Sequence, residues 1–330
     1  MRSRFTFAFI LAAVLLATSA WPSDSLAQTS IPRVGIITVG AATDDPRAGY
    51  RLEVVRLALS TQGWVDGRTV AFEMRNARGD PSRFAAAASE LVRLKVNVIW
   101  ADSAPALRAS YAATRAIPIV ALDFTTDPVA DGYVKSYGRP GGNVTGVFLD
   151  APEFSGKWLE LLRAMVPGLS RVAVLWYPSP GAAHLRALQA IAPSFGVQLE
   201  VLEVRKPEDI DAAASGFRGR PQALITLPSP MMFAENARVV RLALKQRLPT
   251  TSIFRVFAEA GGVVSYGPEV DALDERHAVF VTKILRGAKP GDLPIERPTK
   301  FELVVNLKAV KALNLTIPES VLAGADKVIR

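Results

Sequence analysis

Cysteine is absent from all 330 residues. That absence rules out disulfide staples, thiolate metal sites and a lipoprotein anchor, which would need a Cys at a cleavage point. A chain of this length buries enough surface to fold without staples. Histidine is nearly absent as well, with only His184 and His277. Both fall on predicted helices among apolar and charged neighbours, so each is expected to be a surface or half-buried helix residue, not a catalytic base. They are far apart in sequence, and no metal site is expected from them.

Several chemical signatures are missing too. There is no Gly-x-Ser-x-Gly elbow and no phosphate loop ending in Gly-Lys-Ser/Thr. The first apolar run leads into Val39-Gly40-Ala41-Ala42, which lacks the three-glycine spacing of a dinucleotide site. No catalytic residue and no cofactor are therefore expected. The net charge of +8 is spread along the chain, as in Arg238-Val239-Val240-Arg241, without a block of like charge. That pattern describes a solvated surface and gives no sign of a nucleic-acid partner.

What is present starts with the leader. Arg2 and Arg4 precede an uncharged apolar run, Phe5 to Ala17, and Ser25-Leu26-Ala27 stands before Gln28. This is the layout of a secretory signal peptide over residues 1–27, cleaved after Ala27. The run is short of the roughly 20 apolar residues that span a bilayer, and Pro22 and Asp24 follow it. The mature protein is expected to be soluble and periplasmic, with no lipid anchor, working without cytosolic ATP or reducing power.

From Arg33 onward, short apolar runs alternate with segments of helical period. Arg33 to Thr38, Val96 to Trp100, Pro118 to Leu122 and Asn143 to Phe148 read as strands buried on both faces. Helices are predicted over 47–62, 81–94 and 104–115, the second opened by Asp80-Pro81. The rhythm then restarts. Strands are predicted at Arg171 to Trp176, Gln198 to Val204, Gln222 to Leu227 and Thr250 to Phe254, with helices over 181–195, 207–217 and 230–247. A helix at 273–285 and an extended segment at 300–306 remain, and Pro290 to Pro298 is expected to run extended between the units. The fold class is α/β, with two doubly wound, mainly parallel sheets, each in its own lobe. The expected N-terminal lobe comprises residues 31–148 and about 266–290, and the C-terminal lobe 149–265 and about 291–330. Three crossings between lobes would form a hinge, with the binding cleft between them.

In open α/β sheets the ligand lies beyond the carboxyl ends of the strands. In the first unit that rule selects Gly40, Ser103, Ala104, Asp123, Phe124 and Asp127, and in the second Trp176, Tyr177, Ser229, Phe254, Arg255 and Tyr266. Ser103 opens a helix whose free N–H groups could receive a carboxylate, or it is an ordinary N-cap. Asp123 and Asp127, like Asp44 and Asp45, suit helix capping; for the first pair the alternative is recognition of a ligand hydroxyl or amine. Arg255 could grip a carboxylate in a bidentate way or pair with Glu259 one turn on. Tyr177, Phe254 and Tyr266 suit a planar or apolar ligand part, with core packing the alternative for all three and the favoured reading for Phe254.

A family resemblance is carried by Gly63-Trp64-Val65-Asp66-Gly67-Arg68, Ile117-Pro118-Ile119-Val120, Asp127-Pro128-Val129, Arg139-Pro140-Gly141-Gly142-Asn143-Val144-Thr145-Gly146, Glu259-Ala260-Gly261-Gly262, Ser265-Tyr266-Gly267 and Pro298-Thr299-Lys300-Phe301-Glu302-Leu303-Val304-Val305-Asn306. From about Ile31 to the C-terminus the chain resembles the substrate-binding proteins of ABC transporters, in the subfamily associated with tryptophan or tyrosine uptake. The resemblance implies a type I periplasmic-binding fold, two lobes joined by three crossovers. Such a protein closes on a small molecule and delivers it to an ABC permease at the inner membrane. It implies an amino acid or aromatic acid as ligand, and a monomer is expected. This chain carries Trp100-Ala101-Asp102-Ser103 where relatives usually have smaller residues. Two other functions are weighed: an extracytoplasmic hydrolase using cleft carboxylates, and the ligand-binding subunit of a membrane sensor. A repressor of this architecture would need a DNA-reading helix-turn-helix where the leader stands.

Overall fold

The computed structural model describes residues 31–39, 50–77, 80, 82–149, 152–178 and 183–330. The leader, Gly40, Asp44 and Asp45 lie outside the described residues. Five strands, β1 (Arg33–Thr38), β2 (Ala71–Asn76), β3 (Val98–Ala101), β4 (Ile119–Asp123) and β5 (Val144–Phe148), form an all-parallel sheet in the order β2-β1-β3-β4-β5. Between them run α1 (Tyr50–Ser60), α2 (Arg83–Arg93) and α3 (Ala104–Ala113). Strands β3, β4 and β5 are buried throughout, and their sequences are apolar but for Asp123 at the end of β4 and Thr145 in β5. β2 is half-buried along its whole length. It sits at the sheet edge, so its sequence, AFEMRN, lacks the apolar continuity that marked the other strands.

After α4 (Pro152–Met165) come β6 (Arg171–Trp176), α5 (Ala183–Ile191), β7 (Gln198–Glu203), α6 (Pro207–Gly216) and β8 (Ala223–Thr226). Then follow α7 (Pro230–Ala234), α8 (Asn236–Lys245), β9 (Thr250–Ser252), α9 (Arg255–Glu259) and β10 (Val264–Pro268). The second sheet orders its first strands as β7-β6-β8-β9-β10, the same permutation as the first sheet. In each sheet the strand order reverses beside the opening strand, which is where α/β sheets leave a crevice. The helix predicted over 230–247 is divided into α7 and α8, because Glu235 steps out of helical geometry (φ −98, ψ 17).

The chain then changes sheets. Helix α10 (Val270–Leu285) packs through Leu273, Phe280, Val281 and Ile284 into the core on the β1-β3-β4 face of the first sheet, together with Val55 and Leu59 of α1. Beyond it, Glu296 pairs with Val147 alongside β5, and the Thr145 hydroxyl donates to the Leu293 carbonyl at 2.8 Å. The chain returns to the second sheet as β11 (Phe301–Asn306), which runs antiparallel to β10. Two short helices, α11 (Leu307–Ala312) and α12 (Glu319–Ala323), lead to β12 (Lys327–Ile329), parallel to β11. The second sheet is thus mostly parallel, with one antiparallel pair at the returning strand. Residues Pro32–Arg330 form one compact unit.

The motif Arg139 to Gly146 has a packing reason. Asn143 donates its amide to the carbonyls of Thr114 and Ile117 at 3.2 and 2.8 Å, fastening the loop after α3 to the start of β5. Gly146 has φ +136, and a Cβ there would lie 2.1 Å from the Ala121 carbonyl oxygen on the neighbouring strand. Gly146→Ala is therefore expected to combine backbone strain with a main-chain clash and to cost about 3 kcal/mol or more. Urea unfolding of the purified variant measures the loss; stability within about 1 kcal/mol of wild type, inside the range of mild substitutions, would contradict the close approach.

Candidate functional site

The candidate positions lie just past the carboxyl ends of strands in both sheets, and the ends of β4 and β9 come together. On the first-sheet side, Ser103 caps α3 by accepting from the Ala106 N–H at 3.3 Å, and Ala104 is buried behind it. Asp123 ends β4 with its side chain fully buried. One carboxylate oxygen accepts from the Thr125 N–H at 2.8 Å and its hydroxyl at 3.2 Å, and the other accepts from the Thr126 hydroxyl at 2.5 Å. Burial pushes the Asp123 carboxyl above its usual range, against the hydrogen bonds from Thr126 and Thr125 that favour the charged form. Asp127 is exposed and turns back to accept from the N–H groups of Val129 and Ala130 at 2.9 and 3.2 Å. Both aspartates therefore close local turns, as their expected capping role requires.

Between Asp123 and Asp127 the structure brings the two sheets together. The ring of Phe124, just after β4, meets that of Phe254, just after β9, edge-on with centroids 5.3 Å apart. Phe233 of α7 meets the other side of Phe254 at 6.0 Å and is 48 % exposed. A small recess, open to solvent, lies on the second-sheet side, lined by Ser229, Met232, Phe233, Asn236, Phe254 and Phe257 among others. Ser229 caps α7, accepting from the Met232 N–H at 3.1 Å. Trp176 and Tyr177 are half-buried at the end of β6, with Trp176 packed on the second-sheet core. An apolar aromatic wall with few polar groups can bind a planar organic molecule.

Two expected ligand residues have packing and ion-pair partners within the protein. Tyr266 lies within β10, its ring stacked on Phe301 at 6.3 Å and beside Phe154 at 6.2 Å, so it packs with the core of the second sheet. Arg255 opens α9 and is gripped by Asp271 of α10 at 3.1 Å, with Glu302 of β11 and Glu259 at 3.8 and 3.9 Å. Its main partner is therefore the aspartate across the chain's second change of sheet, and Glu259 is held more closely by Lys327 at 2.8 Å. Burial disfavours the Arg255 charge, yet the hydrogen bond to Asp271 and the surrounding carboxylates raise its pKa.

Both histidines are buried, where a surface or half-buried position was expected. His277 of α10 donates Nε2–H to the Val120 carbonyl at 2.8 Å, and its ring stacks on Trp100 at 4.0 Å. Trp100 is thereby inside the first-sheet core, on the face covered by α10. His184 of α5 reaches the carbonyl of Phe124 with Nε2. Sequence reasoning missed His184 and Phe233 as cleft residues. For Phe233 a signal existed, an apolar residue one turn after the Ser229-Pro230 helix start; for His184 the partner is 60 positions away and no local pattern shows it. Among the described residues no cluster of three His, Cys, Asp or Glu side chains could hold a metal ion, and no described helix is long and apolar enough to cross a membrane.

The family model of the ABC transporter substrate-binding proteins matches residues 39–329. The chain belongs to this family. A tyrosine-binding protein of Clostridioides difficile is 26 % identical over 262 residues, covering 78 % of this chain and 74 % of that protein. The structure of an ABC domain from Streptococcus pneumonia in complex with L-Trp superposes with a TM-score of 0.82 at 25 % identity, over 91 % of this chain and all of that one. A conserved domain protein of Vibrio cholerae gives a TM-score of 0.79 at 25 % identity, over 90 % of this chain and 99 % of that one. This substrate-binding protein therefore captures a small organic ligand for ABC transport and works outside the cytoplasm, as its family does. Its neighbours are periplasmic-binding proteins, in accord with the two mostly parallel α/β sheets.

The raised Asp123 pKa gives a linkage test. The folded protein holds this proton more tightly than the unfolded chain, so the group's contribution is full below the unfolded pKa of about 4 and is lost as pH rises through the higher folded value. Asp123→Asn is expected to lose less stability than wild type between about pH 4 and 7, measured by urea unfolding across that range. Parallel curves would show that burial does not raise this carboxyl.

Proposed function

We propose that the mature chain is a soluble, monomeric periplasmic receptor for an aromatic amino acid, which it holds between its lobes and presents to an ABC permease. The observation that carries this reading is the aromatic wall of Phe124, Phe254 and Phe233, which joins the ends of β4 and β9 across the crevice. A planar ligand ring gains both apolar burial and edge-to-face contacts against such a wall. The relatives named for tyrosine and for bound L-Trp support the same ligand class. The positive end of the α3 dipole beside Ser103 suits the ligand carboxylate, and Ala104, Trp176, Tyr177 and Ser229 complete the surroundings.

Export follows from a signal peptide over residues 1–27, cleaved after Ala27. The lobes are residues 31–148 with about 269–298, and 149–268 with about 299–330, hinged at the three changes of sheet: Tyr266 lies in β10 of the second sheet, and Leu293 and Glu296 bond to β5 of the first, which moves both sequence-based bounds, 266–290 and 291–330. Binding shifts an open–closed equilibrium, and the closed form engages the permease. The protein binds without turnover: the carboxylates that a hydrolase would need, Asp123 and Asp127, are committed to local turns.

The protein beginning at Gln28 is purified, unfolded to release any retained ligand for mass spectrometry, and refolded. Its melting is then followed with L-tryptophan, L-tyrosine, L-phenylalanine and a set of non-aromatic amino acids. An aromatic amino acid at a hundred times its Kd is expected to stabilise the fold by about 2.7 kcal/mol, and Phe254→Ala to weaken binding by about tenfold or more. A response confined to a non-aromatic solute overturns the ligand class. A reaction product formed from any of the added compounds overturns the receptor reading.

A further inference from the structure

The His184 ring is buried, lying near-parallel to the Trp158 indole at 6.5 Å with an interplanar angle of 28°. Trp158 is itself fully buried in α4, its indole N–H donating to the Tyr266 carbonyl at 2.9 Å. The imidazole is therefore seated on a rigid part of the second-sheet core. Its Nε2 meets the carbonyl of Phe124, which belongs to the first sheet's β4 end. A carbonyl can only accept, so Nε2 carries the proton and donates it, in the neutral and the charged ring alike.

The acceptor is as firmly held as the donor. Asp123 anchors the turn beneath Phe124 through Thr125 and Thr126, and its own carbonyl accepts from the Leu149 N–H at 2.9 Å. One residue thus offers both of its faces to the opposite lobe: the Phe124 carbonyl goes to His184, and the Phe124 ring to Phe254. His277 uses the same donor atom on Val120 of the same strand, but entirely within the first lobe. His184 alone of the pair spans the crevice.

We infer that His184 is a closure clasp: its Nε2–H ties the second lobe to the Phe124 carbonyl and sets the fraction of molecules in which the lobes are shut. It is a positioning residue, since it acts on Phe124. The inference goes beyond the receptor reading and rests on it only for the ligand that favours the shut form. A bond between preorganised partners on separate bodies is absent from the open state, so its whole net value biases the equilibrium.

The absence of native cysteine makes the test direct. Spin labels at Ala85→Cys on α2 and Ala237→Cys on α8, both exposed, report the lobe separation by pulsed dipolar spectroscopy. The measurement is made with His184, His184→Ala and His184→Gln, each with and without L-tryptophan and L-tyrosine. With Ala, the distribution is expected to move to longer separations and amino-acid binding to weaken about tenfold. With Gln, which keeps a side-chain N–H, most of both effects should be recovered. If Ala leaves the distributions unchanged, or if Gln and Ala are equally impaired, the clasp is overturned, the second result assigning the effect to lost ring volume. If neither amino acid moves the wild-type distribution, the ligand reading fails, and the clasp is then judged on the ligand-free distributions of His184 and His184→Ala: a difference supports it, and identity refutes it.

Discussion

Each sheet of this protein is covered on both faces, and a parallel sheet so covered must return its chain through a helix after nearly every strand. That requirement sends the carboxyl ends of β1, β3, β4, β6, β8 and β9 toward one side and gives their connections the only freedom in the fold. The strand interiors hold the cores, as Ile36, Ile99, Val174 and Ile225, all fully buried, illustrate. Recognition has to be assembled from the residues one to five positions past the strand ends. The shared 2-1-3-4-5 strand permutation, counted from each sheet's opening strand, then opposes two such sets of ends across a crevice.

The same residues must also finish the backbone hydrogen bonding of the turns they occupy, and this demand consumes most of their polar groups. Ser103 and Ser229 cap helices, Asp123 and Asp127 bind the N–H groups two or three positions on, and Ser252 donates to the Thr226 carbonyl at 3.2 Å. A buried polar atom without a partner is costly, so each is satisfied locally where it can be. Among the described residues, the strand-end surface that these bonds leave is largely aromatic: Phe124, Phe233, Phe254 and the half-buried Trp176 and Tyr177.

Much of this architecture was legible in the sequence because it depends on local pattern. Continuous apolar runs marked β1 and β6 over their full spans, and Ser103-Ala104-Pro105 and Ser229-Pro230 marked helix starts by capping chemistry that acts within three residues. The edge strand β2 escaped, since a half-buried edge carries no apolar continuity, and α4 escaped because its start lies within the turn-rich junction. The site was legible as a set of positions, but the partners of those positions were not. Arg255 is 16 residues from Asp271 and 47 from Glu302, and Trp158 is 108 from the Tyr266 carbonyl that fixes it. Such pairings are decided by sheet order and crossing path, which periodicity does not encode.

The distribution of strong interactions along the crevice has a mechanical consequence. On one side, Arg255 of α9 is bonded to Asp271, which opens α10, and faces Glu302 of β11, thus linking the second and third changes of sheet. Glu302 lies largely buried there, and burial raises its pKa against the pull of Arg255. Removing the guanidinium would therefore leave a buried carboxyl without its compensating charge. On the other side, contacts between the sheets among the described residues include the Phe124–Phe254 ring pair and the His184 bond to a main-chain carbonyl, each worth on the order of 1 kcal/mol. Strong, charge-compensated bonds hold the path about which the lobes would turn, while weak neutral ones hold the faces that would part. A bound small organic ligand that adds a few kcal/mol of contact would be large beside such weak contacts and small beside what keeps the crossings together.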